Sequence, residues 1–153
     1  MSKSITRTLA AKKRIALIAH DNKKAELIDW AVYNKTVLAE HELYGTGTTG
    51  RLLTEALGQE VHRLLSGPLG GDQQIGAMIA ENRIDVMIFF WDPMQAQPHD
   101  PDIKALLRLG VVWNIPFACD RASADFLMTS PLMHTEYEVR LPDYGSYLGR
   151  KVE

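Results

Sequence analysis

The sequence predicts an α/β fold: one domain over residues 1–153 in which a doubly wound, mostly parallel sheet is flanked by helices, Rossmann-like or flavodoxin-like in layout. Three observations predict it. Short apolar runs alternate about five times with longer amphipathic stretches. The strongest runs are apolar at every position, as strands covered on both faces must be. The polar and glycine-rich segments come directly after the runs, where ligands bind beyond the carboxyl ends of parallel strands.

In chain order, residues 15–19 (IALIA) follow the basic cluster Lys12-Lys13-Arg14, stop at His20-Asp21, and read as the first buried strand. A helical pattern over 24–37 precedes a weaker strand at 42–44. Helix 52–57, strand 61–65 and helix 75–80 follow. Residues 86–91 (VMIFFW) form the strongest strand candidate, succeeded by helix 103–113, strand 116–119, helix 124–128 and a last strand at 137–141. Right-handed crossovers join such units.

Composition narrows the function. At 46% hydrophobic and 24% charged residues the chain can bury a core. Seventeen basic against nineteen acidic residues, net charge -2, argue against general binding of nucleic acid or anionic membrane, so an anionic ligand needs a local site. Cys119 is the single cysteine, which rules out an intrachain disulfide and zinc sites built on CxxC pairs and points to a reducing cytoplasm. The N-terminal apolar stretch is too short for a signal peptide or a membrane span.

Four segments could carry chemistry. His20-Asp21-Asn22-Lys23-Lys24 reads either as a helix start, with Asp21 or Asn22 capping, or as a histidine and lysine set to meet an anion. Gly45-Thr46-Gly47-Thr48-Thr49-Gly50 matches GxGxxG formally, but it follows the second predicted strand of a chain too short for a separate substrate domain. Its amides and hydroxyls suit a single phosphate group, and no Walker A spacing follows. The stretch 66–74 (SGPLGGDQQ) is rich in glycine and proline, which suggests backbone pressed close to a ligand, and carries Asp72, either an N-cap or a carboxylate base. Asp100, Pro101 and Asp102 read as helix initiation, which leaves His99 unexplained: a histidine beside a carboxylate is suited to moving protons.

Taken together, His20-Asp21, Gly45 to Gly50, Ser66 to Gln74, 89–93 (FFWDP) and 98–102 (PHDPD) resemble the signature segments of the methylglyoxal synthases, over roughly residues 7–147. The resemblance implies cleavage of dihydroxyacetone phosphate to methylglyoxal and phosphate, without metal or organic cofactor, by a homohexamer inhibited by phosphate. Residue by residue it implies a base at Asp72, a catalytic histidine at His99 and a supporting carboxylate at Asp102. Substrate and phosphate contacts would fall on His20, Lys24, Thr46, Gly47, Thr48, Thr49, Ser66 and Gly67. Departures concentrate at the chain ends and bear on subunit contacts. Two other readings stay open: a non-catalytic module sensing a phosphorylated effector, which gains nothing from a carboxylate aimed at its anion, and a nicotinamide-dependent oxidoreductase, supported only by the formal GxGxxG.

Overall fold

Two sheets organise the chain in the computed structural model, which describes residues 4–95 and 100–145, the side chains of Ser4, Asp100 and Asp102 excepted. The larger holds five strands in the order β4-β3-β2-β5-β6: β2 (Arg14–Ala19), β3 (Glu42–Thr46), β4 (Val61–Leu64), β5 (Val86–Phe90) and β6 (Phe117–Ala118). All four neighbouring pairs are parallel, as the apolar runs predict. The chain winds outward from β2 through β3 to β4, then crosses to β5 and β6 on the other side. This places the switch of winding direction between β2 and β5, where such sheets open a crevice at their carboxyl edge.

The layers follow from the two-residue period of a strand. Ile15, Leu17 and Ala19 of β2, with Val86, Ile88 and Phe90 of β5, pack against Leu27, Trp30, Leu53 and Met128 on one face. Ala16 and Ile18, with Met87 and Phe89, pack against Ile75, Ile79 and Leu106 on the other. Helices α1 (Lys24–Tyr33), α3 (Gly47–Leu57) and α6 (Arg121–Thr129) thus cover one face, and α4 (Gly71–Ala80) and α5 (Asp100–Val112) the other.

The structure departs from the periodicity in three places. Helix 24–37 is broken: α1 stops at Tyr33 and a short α2 (Lys35–Leu38) follows, because the Asn34 amide donates to the Trp30 carbonyl at 2.9 Å and competes with the helical ladder. Helices α3 and α4 start at Gly47 and Gly71, not at 52 and 75, since their first turns are polar and carry no apolar period. The strand at 137–141 forms as β7 (Tyr137–Pro142), but it pairs antiparallel with β1 (Ser4–Leu9) in a separate two-stranded sheet. β1 has the alternation of a half-buried strand, with Leu9 buried beside Val139 and Leu141, yet its charged and hydroxyl residues hide it in sequence.

Candidate active site

A cavity of about 260 Å³ opens at the carboxyl edge of the larger sheet, among the segments that follow β2, β3 and β4. All eight contact residues that the resemblance implies, from His20 to Gly67, line it together with Asp72.

After β2, His20 is 7% exposed, and its Nδ1 accepts the backbone N–H of Asp92 at 3.0 Å. A neutral imidazole accepting there carries its proton on Nε2. The edge of the ring meets Phe89 with centroids 5.3 Å apart. A 3-10 turn, Asp21–Lys23, leads into α1, and the Lys24 Nζ lies 2.7 Å from the Asp21 carboxylate at the mouth of the cavity. Neither Asp21 nor Asn22 serves as the side-chain cap of α1: Lys23 occupies that position without a side-chain bond, and the Asn22 amide turns to Asp92 at 3.2 Å.

After β3, Thr46 caps α3 without a side-chain bond to the helix. The amides of the first turn, Gly47 to Thr49, have no acceptor within a helix. With the threonine hydroxyls and the positive end of the helix dipole they form an anion cradle. Gly47 has φ +49°, and a Cβ there would lie 2.9 Å from that of Ser66, so only glycine lets the two loops touch.

After β4, Ser66 and a 3-10 turn, Gly67–Leu69, lead into α4. A Cβ on Gly71 would come within 2.0 Å of the Leu65 carbonyl, which makes glycine obligatory at this reversal. Asp72 is not the cap of α4. That position belongs to Gly70, in the left-handed conformation, and Asp72 stands in the first turn, where the helix dipole favours a carboxylate. It is 4% exposed and faces Gly67, whose missing side chain leaves the carboxylate open to the cavity: both Asp72 oxygens would be 3.5 Å from a Cβ at position 67.

His99 and the Asp102 side chain lie outside the described residues; α5 begins at Asp100. Two residues take places the sequence did not assign them: Phe89, read as part of a strand and a signature segment, lines the cavity, and Asn22, read as a possible cap, bonds to Asp92. The period of β5 assigns Phe89 to the face shared with α4, but nothing local marks Asn22, whose partner is 70 positions away.

The formal dinucleotide match dissolves in this geometry. Gly45 belongs to β3, Gly47 and Gly50 to α3, and the cavity is below the roughly 300–1,000 Å³ usual for drug-sized ligands, so it suits one small molecule. Among the described residues, Glu40, His41 and His134 bring metal-ligating atoms within 4.8 Å of one another. His41 Nδ1, however, accepts the Lys13 N–H at 2.9 Å, so the neutral ring has its proton on Nε2 and no lone pair there for a cation. The Glu40–His134 pair, at 2.9 Å, reads as a structural contact.

Comparison with known proteins agrees with this geometry. The model of the MGS-like domain family matches residues 26–119. Methylglyoxal synthases of Yersinia pestis (strain Pestoides F) and Yersinia pseudotuberculosis serotype O:3 (strain YPIII) are each 55% identical over 148 residues, covering 97% of this chain and 96% of theirs. The crystal structure of methylglyoxal synthase from Elizabethkingia anophelis NUHP1 superposes with a TM-score of 0.92 at 57% identity, covering 97% of this chain and 98% of that one. A parallel sheet whose carboxyl edge gathers a phosphate cradle and a buried carboxylate, and near full-length similarity to these enzymes, lead to one assignment: the chain belongs to the methylglyoxal synthase family.

Proposed function

We infer that this enzyme converts dihydroxyacetone phosphate to methylglyoxal and inorganic phosphate in the cavity beyond β2, β3 and β4, with Asp72 as the base. One observation carries the assignment of roles: a buried carboxylate, 4% exposed, opens onto the same small cavity as the amide and hydroxyl cradle at the start of α3. A cradle alone describes a phosphate sensor, to which that carboxylate would be a cost.

The chemistry needs a base, an anion grip and a proton donor. Asp72 takes a proton from the hydroxymethyl carbon of the substrate, leaving an enediolate. As the C–O bond to phosphate breaks, the electron pair of the enediolate double bond forms a new C=C bond to the carbon that carried phosphate. The hydroxyl on the former hydroxymethyl carbon becomes the aldehyde as its proton passes to the departing phosphate, and the former ketone oxygen, protonated by the donor, is left as an enol. The released enol ketonises to methylglyoxal. Elimination is favoured when the breaking C–O bond stands roughly perpendicular to the enediolate plane, so the grip on phosphate decides the outcome. His20 Nε2–H, Lys24, Ser66, the amides of Gly47 and Gly67, and the hydroxyls of Thr46, Thr48 and Thr49 form that grip and stabilise the leaving charge. His99, supported by Asp102, is assigned the donor at the enediolate oxygen on the strength of the resemblance.

The finer properties rest on family membership: a closed homohexamer, allosteric inhibition by inorganic phosphate at the product position, and residence in the cytoplasm. Among the described residues no helix is long and apolar enough to cross a membrane. Incubating the protein with dihydroxyacetone phosphate and following methylglyoxal and phosphate separates the lyase from a sensor or an oxidoreductase. Turnover without added cofactor supports the reading, and bound but uncleaved substrate would sink it.

A further inference from the structure

Side chains continue the ladder between β2 and β5 past the ends of the strands. The two run parallel with Ala19 opposite Phe90, and one more backbone rung follows, from the His20 N–H to the Phe90 carbonyl at 3.2 Å. In a regular parallel ladder the next rung would join the Asp92 N–H to the His20 carbonyl. That carbonyl instead accepts the Lys23 N–H at 2.8 Å, closing the 3-10 turn. The imidazole takes the vacated rung, with Nδ1 accepting the Asp92 N–H at 3.0 Å. The Asp92 carboxylate, 6% exposed, is held at both oxygens. Oδ1 accepts the Met94 N–H at 3.1 Å, which shapes the turn around the amide of Asp92, and Oδ2 accepts the Asn22 side-chain amide at 3.2 Å, which ties that turn to the β2–α1 connection.

We propose that Asn22 is a positioning residue for the phosphate site: by anchoring the Asp92 carboxylate it holds the Asp92 N–H on His20 Nδ1, and so keeps His20 as an Nε2–H donor toward the substrate phosphate. This rests on the reading of His20 as a phosphate contact. Asn22 itself does not line the cavity. Its amide suits the task because a carboxylate only accepts, so the residue facing it must donate, and a neutral donor adds no charge next to the phosphate site.

The test is carried out on the full chain at about pH 8, where ordinary imidazoles are neutral. Imidazole nitrogen NMR, inorganic phosphate affinity and the kcat and KM for dihydroxyacetone phosphate are compared for the parent, Asn22→Ala, Asn22→Asp, and Asn22→Asp combined with Asp92→Asn. In the parent, His20 shows a protonated Nε2 and a bare Nδ1, and phosphate shifts Nε2. Asn22→Ala moves both nitrogens toward a mixture of tautomers and weakens phosphate about twofold to tenfold, with KM affected more than kcat. Asn22→Asp alone sets two carboxylates together and does worse. The exchanged pair restores both readouts, since the same bond reforms with its direction reversed and the amide at 92 still offers an oxygen to Met94. A folded Asn22→Ala protein with parental nitrogen shifts and phosphate affinity overturns the relay while leaving the His20 contact intact, as does an exchanged pair that recovers nothing. Phosphate that leaves Nε2 unshifted in the parent removes the contact itself and the proposal with it.

Discussion

At the residue scale the two assignments for Asp72, cap or base, separate experimentally. The structure gives the cap position to Gly70, so Asp72→Asn is expected to fold with a melting temperature near that of the parent. Turnover should fall by roughly 10²–10⁴-fold, as when a general base is lost, with the affinity of a non-reactive phosphorylated analogue unchanged or better once the carboxylate's repulsion is gone. An Asp72→Asn protein that keeps most of its activity moves the base elsewhere. Thr48→Ala removes one hydroxyl from the cradle and is expected to weaken phosphate inhibition by about 1.5–3 kcal/mol, read from the inhibition constant. A third residue, His41, reports on pH. Burial pushes its imidazole below the ordinary value, and His134 and Lys13 push the same way. Between that depressed value and about 6.5, the unfolded chain binds more protons here than the folded one, so stability is full above about pH 6.5 and declines as pH falls through that window. His41→Asn keeps an acceptor where Nδ1 stands and should flatten the decline in melting temperature between pH 7.5 and pH 5, two values bracketing the ordinary imidazole range of roughly 6.5.

At the scale of elements, the site depends on two helix starts that lack any apolar signal. The turn from β4 into α4 is tight enough that Gly71→Ala would drive a methyl group against the Leu65 carbonyl. The backbone must shift, displacing both Ser66 and Asp72, and the expected result is loss of turnover and weaker phosphate binding together. Kinetics of Gly71→Ala beside circular dichroism settle the matter: parental activity in a folded variant would contradict a rigid turn. The same loop is tied at its other end by the Leu65 N–H to the Gln74 side chain at 2.8 Å.

At the scale of the whole molecule, the carboxyl edge of the sheet is given to function and the opposite edge to stability. There Asp85, 1% exposed, accepts the Arg14 N–H at 2.8 Å, its Nε–H at 3.0 Å and its Nη2–H at 2.9 Å, locking the entrance of β2 to that of β5. That contact raises the affinity of the Arg14 guanidinium for its proton. Asp85→Ala strands the half-exposed guanidinium and should cost about 3 kcal/mol, the low end for a broken buried pair. Urea unfolding would show the loss, with kcat and KM close to parental because the lesion lies at the far edge. Sedimentation of the parent tests the assembly: a stable, active monomer would remove the hexamer.

The local sequence determined the parallel sheet and most of the residues that line the cavity, because both are encoded at short range. Continuous apolar runs as short as 86–90, alternating with helical patterns, read as strands covered on both faces, and the glycine, threonine and aspartate segments that follow them fall at the carboxyl edge. Tertiary structure decided what depends on distant partners. Whether the strand at 137–141 joined the parallel sheet turned on β1, more than 120 residues earlier, and the break at Asn34 turned on competition between a side chain and the helical ladder. That Asp72 does not cap α4 was decided only by the left-handed Gly70, and the tautomer of His20 by a backbone amide 72 positions away. Hydrogen bonds across such separations leave no periodic trace, since each needs only one donor and one acceptor brought together by packing that the rest of the chain supplies.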